Sequence, residues 1–235
     1  KVKFTDALEK LNPDNPLEMV FDYVRIRFPT QDVKHVVEDI LKLRLDVMIH
    51  EDFGFYSYAK HYVLGDVFVL TSPDKEKGTL LELKGKGCRQ MESYLLAQHR
   101  SWYDFLMDAL IEGGVMKRLD LAINDMAGIL DIPELTEKCN HEECISVFRS
   151  FKSYRSGELV RSNEQDKYGM GNTLYIGSLK SEVYFCIYEK DYEQYAKYDR
   201  AIEETKIQNR FEIRLKKERA YYAVRDLLTY HDAER

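Results

Sequence analysis

The chain has 235 residues, a formal net charge of −6 and 12% aromatic residues, an ordinary globular composition with ample length for a buried core. The acidic total excludes a protein that is basic over its whole surface. The charge is uneven, however: residues 1–147 carry 18 lysines and arginines against 26 acids, a balance of −8, whereas residues 148–219 carry 15 against 12, a balance of +3. The second part can therefore hold a local phosphate-binding face.

Cysteine usage and hydropathy indicate a reduced, cytoplasmic protein. Four cysteines in a chain of this length do not indicate a disulfide framework. There is no signal-peptide pattern and no run of roughly 18 apolar residues that could span a membrane. Because the first residue is Lys1 rather than methionine, we expect a domain excised from a longer protein.

Apolar periodicity predicts the elements of the first half. In chain order they are a short helix at 5–11, a strand at 19–28, an amphipathic helix at 29–43, two strands within 54–72, a strand at 79–85, and helices at 89–98 and 101–112. The pair Gly113–Gly114 ends the last helix.

The second half begins with a strictly alternating strand at 115–125. It continues with a helix that becomes a strand within 133–151, a mobile polar loop at 155–171, a hairpin of 172–178 and 182–188, a helix of roughly 15 residues, a strand at 209–216 and a closing helix. Strand pairs mixed with helices predict an α+β fold, with a curved, mainly antiparallel central sheet flanked by helices. One domain over residues 1–235 is expected.

Three predicted strands carry an acid between apolar neighbours, namely Glu82, Asp120 and Glu212. Because side chains alternate along a strand, the apolar neighbours point to one face and the acid to the other. Two interpretations stay open. Either the acid face is in solvent, or the acids and the arginines beside them hold a hard divalent cation near phosphate groups. The arginines on the acid side of these strands are Arg118, Arg210 and Arg214.

The stretch 184–200 holds five tyrosines, of which Tyr188 lies near a strand end on the same face as Lys190. A phenol with a pKa near 10 is a poor nucleophile unless a cation stabilises the phenolate, and Lys190 is placed to do so. Attack on a phosphodiester would keep the bond energy in a phosphotyrosine link for later rejoining. Tyr192, in the following helix, is the alternative nucleophile. The pattern assigns Tyr195 and Tyr198 to helix packing.

Other patterns indicate no catalytic centre. "CNHEEC" at 139–144 lacks the spacing of a standard zinc site, and the histidines form no His-x-His pair. "KGKGC" at 84–88 lacks the Gly-Lys-Ser/Thr order of a P-loop. There is likewise no Rossmann fingerprint and no Gly-x-Ser-x-Gly elbow. P-loop nucleotide hydrolysis is therefore excluded.

In combination, the motifs resemble the rolling-circle replication initiators of small plasmids and the related relaxases of integrative conjugative elements. That family shows a Tyr-x-Gly-Ser hairpin, matched at 175–178, and a strand ending in Tyr-Asp/Glu/Asn-Lys, matched at 188–190. Blocks 118–125 and 210–217 resemble two further family blocks. Block 81–92 resembles a block of the conjugative relaxases and favours that branch.

The resemblance implies a nucleophilic Tyr188 that becomes linked to a 5′ phosphate after one strand is nicked. It also implies a divalent metal, Mg²⁺ or Mn²⁺, which we assign to Glu82, Asp120 and Glu212. We expect Lys190 and Arg210 to assist catalysis. The residues expected to bind DNA are Arg118, Lys180, Arg214 and Lys216. The family often has arginine where this chain has Cys186, so one phosphate contact is either missing or supplied by Arg210 or Lys180.

The sequence therefore predicts a DNA nicking-and-joining enzyme that acts at one origin, on single-stranded or hairpin DNA, with Tyr154 or Tyr168 stacking on bases. A host helicase and a homodimer are family expectations. Plasmid replication and conjugative transfer both stay open, as does a DNA-binding domain before Lys1. Two alternatives also remain: a non-catalytic DNA-binding module whose acids face solvent, and a metal-dependent endonuclease that uses water.

Overall fold

The structure, a computed structural model, describes residues 16–156, 171–198 and 205–233. The strands in these ranges are β1 (Leu17–Phe28), β2 (Ile49–Glu51), β3 (Lys60–Leu64), β4 (Val67–Thr71), β5 (Thr79–Leu83), β6 (Val115–Asp125), β7 (Phe151–Ser156), β8 (Gly171–Ile176), β9 (Val183–Glu189) and β10 (Asn209–Lys216). The α-helices in them are α1 (Gly85–Ala97), α2 (Trp102–Ile111), α3 (Ile132–Asn140), α4 (Lys190–Tyr198) and α5 (Glu218–Ala233).

The ten strands form one antiparallel sheet that does not close, in the order β2-β3-β4-β5-β1-β6-β10-β9-β8-β7. This arrangement confirms the predicted α+β class with a mainly antiparallel sheet. The predicted strands 115–125 and 209–216 coincide with β6 and β10 at both ends. No helix of the described residues is long and apolar enough to cross a membrane.

Two compact units make up the chain. Among the described residues, the first unit holds 21–120 and 215–233, and the second holds 16–20 and 121–214. Strands β1, β6 and β10 contribute residues to both units. The predicted site residues therefore divide between the units: Glu82 and Asp120 lie in the first, and Tyr188, Lys190 and Glu212 lie in the second.

The core of the first unit forms where α1 and α2 meet the strands. A capping box fixes the start of α2, because the backbone N–H of Asp104 donates to Ser101 Oγ at 3.1 Å and that of Ser101 donates back to Asp104 at 2.8 Å. Trp102 follows directly, is fully buried and stacks on Phe21 with ring centroids 4.8 Å apart. Apolar residues of β1 and β5 are buried with it, namely Val24, Ile26, Phe28, Leu81 and Leu83.

In the second unit, α3 covers one face of the β8–β9 hairpin. Ile132 of α3, Leu174 of β8 and Ile187 of β9 form the buried centre of this contact. Thr173 lies opposite Tyr188 in the antiparallel register of β8 and β9. Since neighbouring residues of a strand point to opposite faces, Thr173 and Tyr188 share the face that α3 leaves uncovered.

The hairpin turn explains the glycine of the Tyr-x-Gly-Ser motif. Gly177 has φ of +94°, and a Cβ at this position would lie 2.8 Å from a ring carbon of Phe148. Other residues rarely adopt this backbone conformation, and the space for a side chain is already occupied. Glycine is therefore required for β8 to turn back into β9, which carries Tyr188.

Four sequence predictions differ from the structure or fall wholly or largely outside it. The predicted helix 29–43 is reduced to a π-helical turn at His35–Ile40, because the N–H of Leu41 donates to the carbonyl five residues back, at Val36. Lys190 was predicted on the strand but is the first residue of α4. The predicted helix 5–11 lies outside the described residues, as does most of the loop predicted at 155–171; its first two residues end β7 and its last begins β8.

Candidate active site

The three acids of the predicted site are all buried. Glu82, Asp120 and Glu212 expose 1%, 3% and 2% of their surface. The interpretation that placed these acids in solvent is therefore wrong. A buried carboxylate has lost its water and needs charged or hydrogen-bonding partners, and each acid has them.

Glu82 accepts hydrogen bonds from three side chains of the first unit. Tyr23 and Tyr56 both donate their phenol groups to Oε1, the second over 2.8 Å. Arg25 donates to the same oxygen from Nη2 at 2.7 Å and lies over the Tyr56 ring, 4.1 Å from its centroid. Burial alone raises the pKa of Glu82, but these bonds outweigh burial and lower it below the usual value. Glu82 is therefore held as a carboxylate.

Asp120 is connected to Glu82 through Arg118 and Tyr23. Arg118, two residues earlier on β6, forms a two-pronged ion pair with Asp120, with N···O distances of 2.9 and 2.6 Å. The Arg118 guanidinium also lies 4.0 Å from the centroid of the Tyr23 ring. Tyr23 thus connects Glu82 and Asp120, a role that the sequence indicated only by placing Tyr23 and Arg25 on one face of a strand.

The burial of Tyr23 predicts a loss of stability at alkaline pH. Burial, followed by the hydrogen bond to Glu82 and the charge of Glu82, raises the pKa of Tyr23 well above its usual value. Above pH about 10 the unfolded chain releases a proton that the folded chain keeps, so the free energy of unfolding falls by about 1.4 kcal/mol per pH unit for this residue. Urea unfolding between neutral and alkaline pH measures this slope. Tyr23→Phe should remove the part of this pH dependence that comes from Tyr23. An unchanged slope in that variant would contradict the account.

In the second unit, Tyr188 is bonded to Glu212. The Tyr188 hydroxyl donates to Glu212 Oε1 at 2.7 Å, and Arg214 donates to Oε2 from Nε and Nη2 at 2.9 and 2.6 Å. Lys190 Nζ donates to the Tyr188 oxygen at 3.4 Å and forms an ion pair with Glu193. The structure therefore brings together the predicted nucleophile, an acceptor for its proton and a cation for its charge.

The surroundings of Tyr188 keep its phenol neutral in the free protein. Burial raises the pKa of Tyr188 most, the charge of Glu212 raises it further, and Arg210 opposes both. The pKa therefore lies far above its usual value, so the group attacks only if its proton is removed during the reaction. Glu212 already accepts that hydrogen bond and is the candidate base.

Arg210 is held next to this centre by a chain of amide and carboxylate groups that is buried at Asn124 and half-buried at Glu18. Its Nε donates to Asn124 Oδ1 at 2.7 Å, and Asn124 Nδ2 donates to Glu18 at 2.8 Å. Arg210 is 8% exposed. The sequence did not indicate the support from Asn124, because the two residues lie 86 positions apart.

Cys186, which stands where the family often has arginine, is buried on the same face as Tyr188. Burial raises the pKa of its thiol to about 12, although the positive charge of Arg214 acts to lower it. Arg214, from β10, therefore supplies positive charge beside position 186. The two residues predicted to replace the missing contact were Arg210 and Lys180, and Arg214 had been assigned only to general DNA binding.

The remaining predicted residues lie elsewhere. Lys180 is exposed in the turn between β8 and β9, and Tyr188 is near the other end of β9, about 17 Å away at the usual rise per strand residue. Lys216 is half-buried near the end of β10, in the first unit. Tyr192 lies half-buried in α4. The side chains of Tyr195 and Tyr198 and the whole of Tyr168 fall outside the described residues.

Chemically, Glu82, Asp120 and Glu212 suit a hard divalent ion, because carboxylate oxygens are its preferred ligands. In the structure each carboxylate is already paired with an arginine, from positions 25, 118 and 214 respectively. Within the ranges that the structure covers, no group of three or more His, Cys, Asp or Glu side chains is arranged to hold a metal, and this includes the "CNHEEC" stretch. The donor chemistry fits a metal, and the metal ligands stay a prediction.

Comparison with known proteins decides the family. A family model described as "Replication initiation factor" matches residues 114–235, which is just over half of the chain. The chain belongs to the replication initiation factor family. A second model, "Rolling Circle replication initiation protein N-terminal domain", matches residues 18–108. The two matches cover the strands that carry all three buried acids and Tyr188.

Two relatives agree with this family. The chain is 44% identical over 220 residues to the Bacillus subtilis (strain 168) protein named "Putative DNA relaxase NicK", over 93% of this chain and 61% of that protein. It therefore spans about three-fifths of the length of that relative. The structure of a rolling circle replication initiator protein from Geobacillus stearothermophilus matches with a TM-score of 0.74 and 24% identity, over 91% of this chain and 79% of the other. The second likeness confirms the fold.

Proposed function

We propose that residues 1–235 form a single catalytic domain that nicks and rejoins one DNA strand at an origin, through a 5′-phosphotyrosine intermediate on Tyr188. The observation that supports this most strongly is the contact of the Tyr188 hydroxyl with both Glu212 and Lys190. Tyr23 also donates to a buried carboxylate, as buried phenols do, but Tyr188 additionally has the amine of Lys190 at its oxygen and lies in the Tyr-Glu-Lys stretch that resembles the strand end of the family. The family and the 44% identical relaxase favour the same chemistry.

The proposed reaction is a transesterification. The Tyr188 oxygen attacks phosphorus while its proton passes to Glu212, and the bond from phosphorus to the 3′ oxygen breaks. The 3′ oxygen takes a proton from water and leaves as a hydroxyl, the protonated Glu212 gives its proton to the hydroxide so formed and returns to a carboxylate, and the 5′ phosphate remains on Tyr188. Lys190 stabilises the charge that develops on the phenol oxygen, and Arg210 and Arg214 offset the charge of the phosphate. The 3′ hydroxyl reverses these steps and rejoins the strand.

We further propose that Glu82, Asp120 and Glu212 hold Mg²⁺ or Mn²⁺ during the reaction. When bound, such an ion polarises the scissile phosphate and neutralises its charge. The arginines at positions 25, 118 and 214 form ion pairs with the same carboxylates and so fix the positions of these groups.

The proposed substrate is origin DNA presented as a single strand or an extruded hairpin, with Arg118, Lys180, Arg214 and Lys216 near its backbone. Within this function we favour transfer of a conjugative element, because the relative at 44% identity is named a DNA relaxase. A host helicase, a homodimer and a cytoplasmic location are part of the same proposal.

The test is a denaturing gel with a labelled single strand that carries a candidate origin, with Mn²⁺ or with EDTA. We expect a protein–DNA adduct with Mn²⁺ and none with EDTA. Metal-dependent cleavage without an adduct would instead indicate hydrolysis by water. An adduct that persists in EDTA would contradict the proposed role of the metal and would leave the role of Tyr188 intact. Binding without cleavage on every candidate origin would favour a binding module.

A further inference from the structure

The face of the second unit that carries Tyr188 continues across two more strands. In the β7–β8 register, Tyr154 lies opposite Thr173, and Thr173 in turn lies opposite Tyr188 in β9. Directly opposed residues of antiparallel strands point to the same face. Tyr154, Thr173 and Tyr188 therefore form a row across three strands, on the face that α3 leaves uncovered.

A depression of about 260 Å³ lies on this face. Its walls are Tyr154, Thr173, Tyr175 and Leu179, all in the second unit. The rings of Tyr154 and Tyr175 stand nearly perpendicular, at 85° with centroids 5.8 Å apart, so they form a corner rather than a filled stack. Tyr154 is 51% exposed, which is unusual for a residue whose only role is core packing.

We propose that this depression binds one unpaired nucleobase of the DNA strand that reacts at Tyr188. The inference rests on the proposed nicking function. Each base offers a flat π face that stacks on an aromatic ring whatever the identity of the base, and the hydroxyl groups of Thr173 and the two tyrosines supply polar groups in the same depression. The volume lies below the range of pockets for drug-sized ligands, in keeping with a single planar group.

Position and charge support a DNA strand as the occupant. At the usual spacing of neighbouring strands, the backbone at Tyr154 lies about 10 Å from that at Tyr188, the length of about three stacked nucleotides. Lys152 is exposed and lies opposite Tyr175, on the same face. Lys180 is exposed next to Leu179. When a base lies in the depression, the amines of Lys152 and Lys180 are therefore near the phosphates of the same strand.

Tyr154→Ala tests the proposal in a protein that also carries Tyr188→Phe and so cannot react with the DNA. The probe is a short oligothymidine with one 2-aminopurine, whose fluorescence falls when the base stacks on an aromatic ring. We expect Tyr154→Ala to weaken binding about tenfold and to reduce the quenching. Tyr154→Phe should keep both, because it keeps the ring. Tyr230→Ala, a change at an exposed tyrosine of α5, is the matched control.

Equal affinity and quenching in the Tyr154→Ala and parent proteins would overturn the proposal, and so would a parent protein that does not bind the strand. The thermal stability of each variant identifies a loss that comes from unfolding. If Tyr154→Ala unfolds, Tyr154→Leu takes its place, because it fills part of the space of the ring without offering an aromatic face, and equal affinity and quenching in Tyr154→Leu and the parent would then overturn the proposal. The nicking function is tested separately. If an adduct forms at Tyr188 and Tyr154→Ala has no effect on binding, only the proposed base site is contradicted. If Tyr154→Ala weakens binding and no adduct forms, only the proposed nicking function is contradicted.

Discussion

Tyr188→Phe is expected to abolish strand nicking, by at least about 10³-fold, and to leave DNA binding almost unchanged. The phenylalanine ring fills the same space, so the fold and the DNA-binding face are retained, but the attacking oxygen is gone. The measurement pairs a denaturing gel for cleavage with an equilibrium binding assay on the same labelled strand.

Tyr192→Phe is the matched control for this change. Tyr192 lies in α4, four residues after Tyr188, and is the alternative nucleophile that the sequence offers. We expect Tyr192→Phe to nick like the parent protein. Nicking that survives Tyr188→Phe and fails in Tyr192→Phe would transfer the role to Tyr192. Nicking that survives both changes would indicate that water is the nucleophile.

Arg25→Met is expected to produce the largest loss of stability. It removes the guanidinium that bonds Glu82 at 2.7 Å and leaves a carboxylate that is 1% exposed beside Tyr23 and Tyr56. Lys84 Nζ, 3.6 Å from the second oxygen of Glu82, compensates only in part. Removing one partner of a buried ion pair typically costs about 3 kcal/mol or more. The free energy of unfolding in urea measures the loss.

Arg27→Met serves as the control, because Arg27 lies on the same strand and donates to the backbone carbonyl of Glu76 at 2.9 Å. Its loss is expected to cost about 1 kcal/mol. Adding Glu82→Gln to Arg25→Met should restore part of the stability, since the unpaired charge is then removed. Equal losses of stability in Arg25→Met and Arg27→Met would contradict the importance of the contacts that Glu82 makes with Arg25, Tyr23 and Tyr56.

The sequence predicted the strands of the site well for a physical reason. Apolar and polar residues alternate around Asp120, at 119–121, and around Glu212, at 210–216, so the face of each acid follows from local geometry. The helix at 29–43 was predicted too long, because apolar periodicity does not reveal that the hydrogen bonds shift to a π-helical turn.

The burial and partners of the acids could not be predicted from local patterns. A polar strand face is compatible with solvent, and only the folded chain places Tyr56 from a loop against Glu82, 26 residues away. In the same way, Asn124 supports Arg210 across 86 positions. The proximity of Lys190 to Tyr188 was predictable from their spacing, and the nucleophilic role of Tyr188 stays a prediction from the family resemblance. Its direct contact with Glu212 required the pairing of distant strands.

Mass spectrometry of the covalent adduct tests the central claim most directly. Trypsin cuts after Lys180 and Lys190, so Tyr184 and Tyr188 fall in the peptide 181–190 and Tyr192 falls in the next one. After nuclease trimming of the DNA, we expect a nucleotide mass on peptide 181–190, which fragmentation places on Tyr188. A nucleotide on Tyr184 or Tyr192, or strand cleavage that leaves every tyrosine unmodified, would contradict Tyr188 as the nucleophile.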